Sequence, residues 1–218
     1  MRRFAGPLLA GGLVVGVLAG GCAAPNESVG NPAGVQIQTT QDPSGYRGAV
    51  LDEPYAMPRL TFTDTSGRPF DLAKHPREPL TLVFFGYTNC PDVCSIVLAA
   101  VESALRGMDT RSREKIELIF ITTDPRRDTP HVIREYLDRF DPGFTGLTGP
   151  MPKIKRAARQ LGVSLTGTTK LPGGGYEVDH GAHVIAFDRN GRAPLLWTSG
   201  TPVGDLRHDF AKFLENAP

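Results

Sequence analysis

"LTLVFFGYTNCPDVC", residues 80–94, is the stretch on which the fold turns. Its first part, "LTLVFFGY" (80–87), is a continuous apolar run rich in β-formers, the pattern of a central strand buried on both faces. Its second part carries Cys90 and Cys94, four positions apart. Beyond them Ile96, Val97, Ala100, Val101, Ala104, Leu105 and Met108 recur on one helical face. The two cysteines therefore stand where a buried strand hands over to a helix.

If Cys90 caps that helix with Pro91 at its first position, Cys94 lies one turn on, and residues four apart share a face. Unpaired backbone N–H groups and the helix dipole favour thiolate over thiol there. Thiolate is both nucleophile and metal ligand, so spacing alone leaves three uses open: redox pair, metal clamp and structural staple. The C-x-x-x-C spacing is one residue wider than the thioredoxin-type C-x-x-C and leaves room for an ion between the sulfurs.

Outward from this stretch, "LTFTDTSGRPFDL" (60–72) reads as a β-hairpin turning at Ser66-Gly67. "IELIFITT" (116–123) is a second buried strand. A helix follows, with Thr129 as N-cap and Pro130 at the first position, and buries Val132, Ile133, Tyr136, Leu137 and Phe140. Another carries Ile154, Ala157, Ala158 and Leu161, and Gly162 stops it. "HVIAF" (183–187) and "APLLW" (193–197) flank "DRNGR", a hairpin with Asn190-Gly191 at its turn. A last helix buries Leu206, Phe210, Phe213 and Leu214. The expected fold class is α/β: a central mixed β-sheet flanked by helices, with an N-terminal β-hairpin, in the thioredoxin-like arrangement.

The chain has 218 residues, and its formal net charge is +1, which gives no electrostatic case for nucleic acid. "MRRFAGPLLAGGLVVGVLAGGC" (1–22) has a basic start, an apolar middle shorter than the ~20 residues that span a bilayer, and a small-residue exit. Residues 1–21 read as a secretory leader. "LAGGC" resembles the bacterial lipobox, with Ala19 where Leu is usual, and that resemblance implies a lipid on Cys22. Residues 22–46, rich in Pro, Gly, Asn, Gln, Ser and Thr, read as a flexible tether, and 47–218 as the folded domain. With Cys22 modified, Cys90 and Cys94 remain as an even pair in an oxidising compartment.

A metal reading needs a third ligand. Of five histidines, His75, His131 and His208 lie among charges and are most simply solvated. His180 stands where a glycine-rich loop, Gly173 to Gly175, runs into a buried strand, and His183 follows three residues on. Positions three apart in a strand face opposite ways, so the two histidines do not serve one ion unless the strand begins after His180.

"GYTNCPDVC" (86–94), "TTDPRRDTP" (122–130) and "VDHGAHVIAFDRNG" (178–191) together resemble the Sco/SenC proteins, across roughly residues 47 to 216. These are thioredoxin-like, membrane-anchored assembly factors for the copper sites of cytochrome c oxidase. The resemblance implies copper ligands at Cys90, Cys94 and His180, and Asp179 matches the acidic residue beside the family's histidine, where it either orients that ring or is an ordinary polar turn residue. Asp124, Pro125, Arg127, Asp128, Thr129 and Pro130 agree with the family's middle motif, while Ser95 departs from a frequent proline. Two thiolates and one imidazole are a soft set suited to Cu(I), and an added oxygen ligand would suit Cu(II). A structural zinc site usually has four protein ligands, against three here.

The implied function is copper delivery to the copper-containing subunit of the oxidase, on the extracytoplasmic face of a bacterial membrane. A further copper carrier or a thiol reductase in that compartment would be the other partner. The alternative is a thiol–disulfide oxidoreductase that reduces the oxidase's copper-site cysteines through a reversible Cys90–Cys94 disulfide. A peroxidase is disfavoured, because the peroxiredoxin threonine would stand where Tyr87 does.

Overall fold

The computed structural model describes residues 43–74, 78–170 and 176–216. The leader, Cys22, His75 and the three glycines lie outside these residues. In chain order the strands are β1 (Ala49–Ala56), β2 (Thr61–Asp64), β3 (Pro69–Asp71), β4 (Leu80–Gly86), β5 (Ile116–Thr122), β6 (Thr145–Thr148), β7 (Leu165–Lys170), β8 (Tyr176–His180), β9 (His183–Phe187) and β10 (Arg192–Thr198). The helices are α1 (Val93–Arg106), α2 (Thr110–Arg113), α3 (Pro130–Leu137), α4 (Met151–Gln160) and α5 (Val203–Asn216).

Eight strands form one sheet in the order β1-β10-β9-β4-β5-β6-β2-β3. β4 lies at its middle, parallel to β5 and antiparallel to β9. Every residue of β4 is buried, as a strand covered on both faces requires. Side chains alternate across the sheet. Leu80, Leu82 and Phe84 join Val97, Leu98 and Val101 of α1, Ile133 and Tyr136 of α3, and Phe210 and Phe213 of α5 in one core. Val83 and Phe85 join Ile119, Ile121, the α4 residues Ile154, Ala157 and Ala158, and Leu161 just after that helix in the other. Helices on both faces explain the unbroken apolar run.

Local signals set the boundaries. The Thr129 side chain accepts a hydrogen bond from the Val132 N–H and Pro130 opens α3, as expected. Asp64 accepts from the N–H groups of Ser66 and Arg68 and so shapes the β2–β3 turn, with Gly67 at φ +80°. At the β9–β10 turn only Gly191 takes a positive φ, while the Asp188 carboxylate holds the N–H groups of Asn190 and Arg192.

Several elements were not anticipated. β1 precedes the expected first hairpin and pairs with β10 at the opposite edge of the sheet, with an irregularity between Val50 and Tyr55 that contains Pro54. Proline is tolerated there because an edge strand need not donate every N–H. β7 and β8 form a separate two-stranded sheet on either side of residues 171–175. Ile96, expected on the buried face of α1, is instead 55% exposed.

Candidate metal centre

β4 ends at Gly86 and the chain leaves the sheet through Tyr87, Thr88 and Asn89 to Cys90. Gly86 is needed for space: a Cβ there would stand 2.9 Å from the Phe120 ring, 3.0 Å from Phe84 and 3.1 Å from Cys94 Sγ. The Cys90 N–H donates to the Tyr87 carbonyl at 3.2 Å, which closes the loop into a turn.

α1 begins later than the sequence implied. Its first residue is Val93 and its N-cap is Asp92, whose side chain makes no capping hydrogen bond. Pro91 is therefore outside the helix. The cap function passes to sulfur: the Cys94 N–H, in the first turn, points at Cys90 Sγ over 3.4 Å. One of the orphan donors of the helix start is thus turned toward the pair.

The two sulfurs differ in setting. Cys94 is fully buried and Cys90 is half-buried, with no disulfide between them. The side-chain hydrogen bond with Cys90, and then burial, push the Cys94 thiol far above its ordinary range, against a hydrogen bond from the Tyr87 backbone. The thiolate preference expected from the helix dipole is therefore overridden at Cys94. Cys94 is the inner sulfur, and Cys90 is the more accessible of the two. Behind them the Tyr136 hydroxyl, 3.3 Å from Ser95 Oγ, is pushed up to about 12, by burial first.

His180 closes β8, its backbone opposite Leu165, and Asp179 lies opposite Gly167. The side chains of both lie outside the description. His183 opens β9 and is buried, so the two histidines belong to different strands, and the opposite-face argument for a single strand does not apply to them. β9 pairs with β4 through Val184 and Phe84, so its entry lies at the end of the sheet where β4 runs out toward the cysteines. Val178 and Ala182, either side of His180, pack on the same core as Cys90, Val93 and Cys94. Among the described side chains, no three His, Cys, Asp or Glu groups form a metal-holding cluster. What is placed is a sulfur pair, plus a backbone that brings residue 180 to that end of the fold.

Of the histidines expected to be solvated, His131 is, whereas His208 is tied to a buried carboxylate. His131 is exposed and lies 3.4 Å from Glu135, while His208 Nδ1 is 2.9 Å from the buried Asp209. A network that the residue-by-residue reading missed borders the cysteine loop. Asp128, 1% exposed, accepts from the Thr88 N–H (3.1 Å), the Thr88 hydroxyl (2.7 Å) and the Thr122 hydroxyl (2.6 Å). Burial holds its carboxyl above the ordinary range, although these hydrogen bonds act the other way. Its only sequence signal was membership of "TTDPRRDTP".

Residues 51–215 match the SCO1/SenC family. A protein of Stutzerimonas stutzeri named as copper-binding is 32% identical over 152 residues, covering 67% of this chain and 74% of its own length. Mitochondrial SCO2 of Saccharomyces cerevisiae is 32% identical over 148 residues, and the chain spans only 47% of its length. The structure of Bradyrhizobium japonicum ScoI with copper bound aligns at a TM-score of 0.63 and 31% identity, over 73% of this chain and 97% of that one. Together with the sheet order, this likeness gives the thioredoxin-like fold that the strand–cysteine–helix pattern implied. With the match running through both cysteines and the β8–β9 segment, the chain belongs to the SCO1/SenC family.

Proposed function

We propose that this protein is a lipid-anchored copper chaperone that carries copper on Cys90, Cys94 and His180. It delivers the ion to the copper-containing subunit of cytochrome c oxidase on the extracytoplasmic face of a bacterial membrane. The observation that carries the reading is the juxtaposed sulfur pair at the start of α1, at the end of the sheet where the β8–β9 segment bearing His180 enters. Two sulfurs and an imidazole form a soft donor set that suits Cu(I) as cargo. The copper-binding relative and the copper-bound ScoI structure support the same ion.

The asymmetry of the pair suits delivery. Cys94 is buried and fixed, whereas Cys90 is reachable, so ligand exchange with a partner begins at Cys90. Both thiols must lose their protons to hold the ion, so loading weakens as pH falls. Oxidation of the pair to a disulfide removes both sulfur donors and releases the cargo. On this reading Asp179 is the acidic residue next to the His180 ligand.

The same asymmetry favours a second reading, thiol–disulfide exchange with the oxidase's copper-site cysteines, where Cys90 attacks and Cys94 resolves. His180→Ala separates the two. Copper delivery predicts that oxidase assembly fails in cells carrying that variant, whereas a purely reductive role leaves assembly at the wild-type level. Either role places 47–218 as the working domain, 22–46 as tether and 1–21 as a removed leader. The mature protein should be recovered with membranes and carry the added mass of a diacylglycerol on Cys22. An unmodified mass in the soluble fraction would contradict the anchor.

A further inference from the structure

Asp128 reaches out of its own loop to grip the segment between β4 and Cys90, and this contact carries an inference about how the sulfur pair is held. Residues 122–129 are largely satisfied among themselves. The Thr122 hydroxyl accepts the Asp124 N–H at 2.9 Å, the Asp124 carbonyl accepts the Asp128 N–H at 2.9 Å, and Arg127 is ion-paired with the buried Asp124. The Asp128 carbonyl takes the Thr148 hydroxyl of β6 at 3.3 Å, which fixes the segment to the sheet. From this braced platform two groups cross to the cysteine loop. The Arg127 guanidinium lies 5.7 Å from the centre of the Tyr87 ring, and the Asp128 carboxylate takes both the N–H and the hydroxyl of Thr88.

Thr88 is two residues before Cys90, and the Cys90 N–H is already turned back to the Tyr87 carbonyl. Holding the N–H and side chain of Thr88 on one carboxylate therefore fixes the direction in which the chain reaches Cys90. Cys94 is independently fixed by its burial in the core. The distance between the sulfurs thus depends on how the loop presents Cys90, together with the Cys94 N–H that meets its sulfur. A carboxylate suits the task, because charge-assisted hydrogen bonds are about twice as strong as neutral ones.

We propose that Asp128 is a positioning residue that, through Thr88, holds Cys90 beside Cys94 and so sets both copper retention and the ease of disulfide formation. This rests on the reading of the pair as the copper site, but only its copper arm does.

The test uses the full folded protein with two readouts. One is Cu(I) retention against a competing chelator. The other is the equilibrium with glutathione, in which the two thiols give two electrons and two protons to glutathione disulfide, leaving a Cys90–Cys94 disulfide and two glutathione thiols. Asp128→Ala should lose about tenfold or more in copper affinity, the range found when groups behind metal ligands are removed. It should also lower the disulfide-forming constant about tenfold, or ~30 mV for a two-electron couple, because the sulfurs meet less often. Asp128→Asn should recover most of both, since its amide oxygen can still accept the Thr88 N–H while the hydroxyl turns to accept from the amide.

The matched control is Asp209→Asn, another fully buried carboxylate, whose partners belong to Arg47, Gly48, Trp197 and His208. It should lower the melting temperature and move neither readout. Wild-type values in Asp128→Ala, or equal shifts in Asp209→Asn, overturn the proposal. If Asp128→Ala does not fold, Thr88→Val replaces it. That variant removes one hydrogen bond and should shift both readouts in the same direction by less, and wild-type values in both would overturn the proposal. If the wild type retains no Cu(I), the chaperone reading fails while the glutathione equilibrium still decides the role of Asp128.

Discussion

Cys94→Ser is expected to abolish Cu(I) retention while leaving a folded protein. The sulfur is 0% exposed and lies against the Cys94 N–H and Cys90 Sγ pair at the helix start, where a hydroxyl fits the same space. A serine oxygen is a hard donor and does not replace a thiolate for Cu(I). Losing one of two anionic soft ligands should weaken retention on the order of a thousandfold, or ~4 kcal/mol at ~1.4 kcal/mol per decade. The structural cost is smaller, about 1–3 kcal/mol for a buried hydroxyl without a full set of partners. Cys90→Ser should lose copper equally but cost less stability, because Cys90 is half-buried. Chelator competition together with thermal melting separates the two effects. Retention within a few-fold of wild type would remove the sulfur pair from the site.

Asp209→Ala should produce a large loss of stability. Its carboxylate, fully buried, accepts the N–H groups of Arg47 (3.0 Å) and Gly48 (2.8 Å) and the indole N–H of Trp197 (2.9 Å). Alanine would leave those three donors without their acceptor, at about 1–3 kcal/mol for the buried indole N–H and about 1 kcal/mol for each of the two part-buried backbone N–H groups. A total near 3–5 kcal/mol is a large share of the ~5–15 kcal/mol of a typical domain. For a chain of this size the melting temperature should fall by roughly 10 °C or more. Gly48 adds a steric reason for the junction's geometry, since a Cβ there would lie 2.5 Å from Trp197 Nε1. Trp197 is the only tryptophan, so its fluorescence reports the junction directly. A melting temperature within about 2 °C of wild type, under one kcal/mol on the same scale, would contradict this ledger.

The elements legible in the sequence were those whose burial imposes a period. β4 and β5 read as buried strands because helices cover both sides, and α5 read from Leu206, Phe210 and Phe213 because one face meets the core. β1 was hidden by Pro54 and by an edge position that buries little in any regular order. β7, "LTGTTK", was hidden by having no core face, since it pairs only with β8. The start of α1 was misread because Pro91 is a common first helical residue, whereas here the chain turns once more before Val93.

At the site, residue type and spacing marked both cysteines. Asp128 was different. Its importance comes from two threonines, one of them forty positions away, meeting one carboxylate. Hydrogen bonds between distant loops leave no periodic trace, so only three-dimensional packing could single it out. Ile96 was misassigned because helical spacing marks a face but not how far the rest of the fold covers it.

The most direct test of the central claim is X-ray absorption at the copper edge on the Cu(I)-loaded protein, wild type beside His180→Ala. The account predicts two sulfur neighbours and one nitrogen in the wild type, with the nitrogen lost and both sulfurs kept in the variant. Identical copper environments in the two proteins would contradict it.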